Sequence, residues 1–279
     1  MKPRLALFAS SAVAVALLAA GGVARADDAP APPENAGNAD RGLAVDEEAP
    51  HAAAVAREGQ LLPQTYSATI GHKQVIGLFL GGYDSAPEQG AQFSAVVEGQ
   101  LFNRVALRVG VDYEDGIHNV YPSVGLRVGV LRQERYKVDL GVLAQYKNLG
   151  FSEASGEFEV GLLLGRRWGR LGAQFNALYG QGLDPGERDA EVRASLLWYV
   201  LPRVNAGLDA HARFDLGADD AARAKAQLEA DLDFAGGLIG QITVVDHLVL
   251  LAEVGPHVVV INQQPSTGVM AIAGVGATY

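Results

Sequence analysis

The chain has no cysteine among its 279 residues. That removes disulfides, thiolate nucleophiles, cysteine metal sites and a lipidated cysteine anchor from consideration. It is also short of positive charge, with 22 Lys and Arg against 32 Asp and Glu and a formal charge of −10. A nucleic-acid partner requires a basic footprint, so that class is excluded. Beyond residue 26 the chain lacks any apolar run approaching the roughly 20 residues that a membrane helix needs. The nearest candidate, 248–261, is interrupted by Glu253, Pro256 and His257. Yet 49% of the residues are hydrophobic, so the apolar side chains must be spread in some other pattern.

The one continuous apolar stretch is at the start. Lys2 and Arg4 precede an apolar run over 5–20, and Ala24-Arg25-Ala26 supplies a small-x-small site. Residues 1–26 therefore read as a secretory signal cleaved after Ala26. Losing Lys2, Arg4 and Arg25 with it takes the formal charge from −10 to −13. Export leads to a compartment that permits disulfides, and the chain makes no use of them. Residues 27–66 follow, rich in Ala, Pro, Asn and acidic residues up to about residue 59. So few large apolar side chains cannot offset the entropy of ordering, and the segment reads as a disordered periplasmic leader. It is a tether, a contact for a periplasmic protein, or a plug for the domain that follows.

From about residue 74 the apolar residues recur with a period of two. Within 104–113, Val105, Leu107, Val109, Val111 and Tyr113 share one face, and Arg104, Ala106, Arg108, Gly110 and Asp112 the other. This is the half-buried strand pattern. In 136–146, Tyr136, Val138, Leu140, Val142, Ala144 and Tyr146 face away from Lys137, Asp139, Gly141 and Gln145. In 204–214, Val204, Ala206, Leu208, Ala210, Ala212 and Phe214 oppose Asn205, Gly207, Asp209, His211 and Arg213. Similar faces mark 91–102, 120–131, 156–165, 170–180, 191–201, 247–260 and 268–279. The stretch 224–245 keeps one phase for too long, and reads as one protruding strand or two pieces meeting at Gly236-Gly237.

The connections alternate in length. Short turns fall at Asn103, 131–135, 166–169, Pro202 and Asp246, and longer polar loops at 84–90, 114–119, 148–155, 181–190, 215–223 and 262–267. The final strand sets Val269, Ala271, Ala273, Val275, Ala277 and Tyr279 against Gly274, Gly276 and Thr278. An apolar strand face ending on an aromatic resembles the terminal assembly signal of bacterial outer-membrane β-barrels. With export and sustained alternation, residues 67–279 resemble that class. The resemblance implies an all-β, up-and-down antiparallel transmembrane barrel of about twelve strands, with short turns in the periplasm. It implies insertion into outer-membrane lipid by the barrel assembly machinery, with Tyr279, Ala277 and Val275 as the signal.

Phe93, Tyr113, Tyr146, Phe158, Tyr179 and Phe214 would then form an aromatic belt at the loop ends, and Tyr136, Trp198 and Tyr279 another at the turn ends. Pro122 and Pro256 each remove a ladder donor and belong at rims or bulges. Closure is required, because no sheet edge can face lipid with unpaired amides. Inside, Arg104, Arg108 and Arg127 would form a basic wall on the third and fourth strands. Glu229, Asp231 and Asp233 would form an acidic wall on the tenth. The two walls either set up a transverse field for water and polar solutes or meet as salt bridges. Val249, Leu251, Met270 and Ile272 make one inner sector apolar, which the N-terminal segment could fill.

No catalytic residue, metal site or cofactor is expected. His51 lies in the leader and His72 precedes the first strand. His118 lies in a loop with Asp112, Glu114 and Asp115, a grouping loops often show. His211 and His257 face the lumen in structural roles, and no Ser–His pair lies on the lipid face. The function expected is a porin-like channel for ions or small polar solutes, in the Gram-negative outer membrane. The alternative is a non-conducting barrel that anchors an envelope-spanning complex, as in secretion or gliding-motility machinery, with residues 27–66 touching its periplasmic partner.

Overall fold

The computed structural model describes residues 61–70, 74–85, 90–114, 119–148, 156–183, 188–216 and 231–279. The expected signal, residues 27–60 of the leader, His51, His72, Asp115, His118 and Glu229 lie outside the described residues. Twelve strands form: β1 (Gln74–Tyr83), β2 (Gly90–Phe102), β3 (Val105–Glu114), β4 (Asn119–Leu131), β5 (Asp139–Asn148), β6 (Gly156–Trp168), β7 (Leu171–Gly182), β8 (Arg188–Leu201), β9 (Val204–Asp215), β10 (Leu232–Val245), β11 (Leu248–Ile261) and β12 (Gln264–Thr278). Each pairs antiparallel with its sequence neighbours, and β1 pairs with β12, so the sheet closes on itself. The chain is thus an up-and-down transmembrane barrel of twelve strands. Closure leaves no edge amides to face lipid, which the sequence pattern required.

Three local expectations are corrected. Tyr136 and Lys137 do not begin the fifth strand; Gln133–Tyr136 form a single helical turn, α1, between β4 and β5. Asp139 accepts the Gln133 amide proton at 2.8 Å, and Lys137 is left-handed with φ 61°. The polar run 262–267 is not a long loop. Asn262 and Gln263 both take positive φ (51° and 63°), the geometry of a two-residue primed turn, and β12 starts at Gln264. The stretch 224–245 contributes β10 from Leu232, and residues 217–230 lie outside the described residues.

Gly236 and Gly237 do not divide β10. Both pair with β9, while the rungs to β11 lapse between Ala235 and Leu238. Pro256 lies opposite that gap and has no amide proton to offer, so it sits within β11 beside an interrupted ladder. The backbones crowd there: a Cβ on Gly237 or Gly255 would run into the facing carbonyl of Val254 or Gly236. Pro122 lies one residue beyond the start of the β4–β5 ladder at Ser123, close to the loop rim.

The alternation decides which side chains face out. Val142, Leu162, Leu208 and Ile242 are exposed on the outer surface, while Leu143, Leu163, Asp209 and Gln241, one residue away, are buried inside; on β3 Val109 is exposed and Ala106, three residues away, is buried. At the loop ends Phe93 faces Tyr113 across β2 and β3, and Tyr146 packs on Phe158 across β5 and β6 with ring centroids 5.1 Å apart. At the turn ends Phe102, Trp168 and Trp198 are exposed. An apolar band between two aromatic girdles matches a bilayer and its interfaces.

Candidate functional site

The lumen is occupied by the chain's own residues 61–70. Leu61 enters near the turn ends, over Gly77 and Gly276, where a Cβ on Gly276 would collide with it. It packs among Phe79, Val96, Ala235, Leu251, Met270 and Ile272. This is the apolar inner sector that the sequence left open for the N-terminal segment. Leu62 packs on Leu197 and Ile239. The chain climbs to deeper rungs at Gln64, where His211 lies 2.6 Å from the Gln64 amide oxygen. It then descends to Ala68, which packs with Leu143, Leu163 and Leu178 near the opposite turns. The segment is therefore an arch, with both feet toward the turn ends. Residues 61–66, grouped with the leader in the sequence, belong to the barrel interior. The available signal was the return of large apolar side chains at Leu61, Leu62 and Tyr66 after the depleted stretch.

Polar wall residues fasten the arch. Asp209 accepts the Gln64 amide proton at 3.0 Å and the Thr65 hydroxyl proton. Asn176 accepts the Tyr66 amide proton at 2.7 Å and donates to the Tyr66 carbonyl at 3.0 Å. The Tyr66 ring lies between the guanidinium groups of Arg193 and Arg108, at 4.4 and 4.9 Å from its centroid.

The expected walls are redistributed. Arg127 and Arg108 do project inward. Arg127 is buried and donates to Glu98 and to the Ser67 carbonyl, and Arg108 lies 3.9 Å from Glu98. Arg104 is not on the wall. It occupies the β2–β3 turn with φ 70°, and its guanidinium reaches the Val130 carbonyl at 3.4 Å. The alternation in sequence runs one residue past the end of the ladder, which is why it looked inward. Asp231 precedes β10, is exposed, and accepts the Gln263 amide proton at 3.1 Å. Asp233 is inward, 2.9 Å from His257 and 3.9 Å from His211.

Among the described residues many inner charges pair along the wall, while Glu253, buried on β11, has no hydrogen-bond partner for either carboxylate oxygen. Lys147 meets Glu159, Arg193 meets Glu191 at 2.8 Å, and Arg213 meets Asp189 at 3.1 Å. These partners are diagonal neighbours on adjacent strands (Lys147 and Glu159, Arg213 and Asp189) or two apart on one strand (Arg193 and Glu191). Such neighbours lie within about 8 Å and in reach of long side chains, so a neighbouring carboxylate captures a base before the far wall can. Among the described residues, separated basic and acidic walls do not form.

Ser85, His257 and Asp233 lie in line, with the imidazole bonded to the hydroxyl on one side and the carboxylate on the other. The order is that of a hydrolytic relay. However, Ser85 and His257 are completely buried and Tyr83 stacks on the imidazole at 4.1 Å. The group fastens the start of the first loop to β11.

No family model and no curated protein matches the chain. Solved structures do. The NanC porin superposes with a TM-score of 0.55 at 8% identity, over 73% of this chain and 100% of that one. The KdgM porin gives 0.52 at 8% identity, over 74% and 99%. An outer membrane channel from Pseudomonas putida F1 gives 0.50 at 10% identity, over 79% and 100%. The chain has the fold of outer-membrane porins and channels.

Proposed function

We propose that the protein is an outer-membrane channel for ions or small polar solutes, exported by a cleaved signal at 1–26 and held narrow by residues 61–70. The observation that carries this reading is a wall of Arg–Glu, Lys–Glu and Arg–Asp pairs inside a barrel with an apolar exterior. Buried ion pairs stabilise a fold little better than apolar packing does. A wall built of them is better accounted for by contact with water and polar solutes. Likeness to porins supports the same reading.

Among the described residues, inward carboxylates, including Glu98, Asp112, Glu157, Glu159, Asp189 and Glu191, outnumber the inward bases Arg108, Arg127, Lys147, Arg193 and Arg213. The channel prefers cations weakly and disfavours polyanions. Replacing Glu157 and Asp189 by Gln and Asn shifts the reversal potential in planar bilayers toward anions. Replacing Lys147 and Arg213 by Gln shifts it the other way. Both shifts shrink at 1 M salt, where the Debye length is about 3 Å. Identical reversal potentials for all three proteins at low salt would contradict the charged lumen.

The filled lumen favours a second reading, a barrel that anchors an envelope-spanning complex through a periplasmic protein bound to residues 27–60. Deleting those residues leaves the current of a channel intact and detaches an anchor from its complex.

Tyr279, with Ala277 and Val275 on the outer side of the last strand, is proposed as the signal read by the barrel assembly machinery. It exchanges backbone hydrogen bonds with Gln74 at 2.9 and 3.1 Å across the closing seam, and its ring stacks on His247 at 5.5 Å. Tyr279→Asp lowers the amount of heat-modifiable barrel in the outer membrane while export across the inner membrane proceeds. Recovery at the wild-type level would remove the signal role.

A further inference from the structure

The arch is held largely by its backbone. Amide protons of Gln64, Tyr66 and Ala68 are accepted by Asp209, Asn176 and Gln174, the last at 3.1 Å. Carbonyls of Leu61, Gln64 and Ser67 accept from Gln241 at 2.7 Å, Arg193 at 3.2 Å and Arg127. Past the bend at Pro63 and Gln64, the amides served (64, 66 and 68) fall at every second residue, as along one edge of an extended chain. Wall side chains thus give the arch what a neighbouring strand gives a sheet edge. Two of these groups have a wall partner of their own: Arg127 is held by Glu98 and Arg193 by Glu191.

We infer that the lumen is a binding site for an extended polypeptide, filled in this structure by residues 61–70 and open to a segment of another chain when they withdraw. Groups common to every peptide carry the recognition. Side chains add selectivity: an aliphatic residue at the Leu61 position, an aromatic between Arg108 and Arg193, and a small residue where Leu143, Leu163 and Leu178 close around Ala68. The inference depends on the barrel and not on conduction.

The test uses the refolded barrel without residues 27–70 and a fluorescent synthetic peptide of sequence 61–70, followed by anisotropy. The peptide binds saturably. Methylating its amide nitrogens at 64, 66 and 68 keeps the side chains and the affinity for detergent, and weakens binding by on the order of 30-fold or more, three hydrogen bonds being lost. Asn176→Leu in the barrel weakens the parent peptide more than the methylated one, in which only the Tyr66 carbonyl is left to Asn176. A heat-modifiable barrel that binds no peptide, or binds the methylated peptide as well as the parent, overturns the inference. If the shortened chain does not refold, protease sites flanking 61–70 in the full chain allow the arch to be cut free after folding and exchanged for the same peptides. A barrel that binds peptide and passes no current would remove the channel reading alone.

Discussion

Val109→Arg is expected to leave the chain unfolded or outside the bilayer, whereas Arg108→Gln, one residue earlier, folds. Val109 lies at the middle of β3 and is exposed on the outer face. An arginine at the hydrocarbon midplane costs about 2–4 kcal/mol, a large part of what a barrel of this size has to spare. Arg108 faces the lumen 3.9 Å from Glu98, and Glu98 keeps Arg127 as its partner when Arg108 is lost. The loss of such a long, partly exposed pair is worth on the order of 1 kcal/mol or less. Refolding into lipid vesicles with gel mobility before and after heating separates the two. Equal folding yields would mean that the assignment of faces is wrong.

Arg127→Leu is the second large effect. The guanidinium joins Glu98 on β2 to the Ser67 carbonyl of the arch, and both side chains are almost fully buried. Removing it leaves the buried Glu98 with only the 3.9 Å contact to Arg108, a loss of up to about 3–5 kcal/mol. Replacing both members, Arg127 by Met and Glu98 by Leu, recovers most of that loss, because buried pairs exchange for apolar packing at little net cost. Urea unfolding in lipid vesicles should show the single variant well below both the wild type and the double variant. A single variant as stable as the wild type would show that the pair does not hold the wall together.

The barrel was legible because its determinants are local and repeated. Val105, Leu107, Val109 and Val111 state their face within one strand, and short turns such as Asn103 and Pro202 state which ends are joined. The boundaries that misled were those where the pattern continued after the ladder had stopped. Arg104 keeps the inward phase yet sits in a left-handed turn, and Tyr136 keeps the outward phase yet belongs to α1. Gln264 to Thr267 looked like a loop because polar residues fill it, although two positive-φ residues, Asn262 and Gln263, are enough to reverse the chain. The site was less legible than the fold. An inward residue can be read from its phase, but its partner depends on which strands adjoin, so the pairing of Arg127 with Glu98 across β3 is absent from any local pattern. The apolar sector of Leu251, Met270 and Ile272 was visible, and so was the idea of an N-terminal occupant. That the occupant would be residues 61–70, bound through their amides to Asn176, Asp209 and Gln174, required the closed barrel to be in place.

The most direct measurement is planar-bilayer recording of the full mature chain beside the chain lacking residues 61–70. The expected result is small or intermittent current for the first and a larger, steady, weakly cation-preferring conductance for the second, because the arch crosses the lumen between Leu61 and Ala68. A shortened barrel that is folded and inserted but electrically silent would contradict a channel.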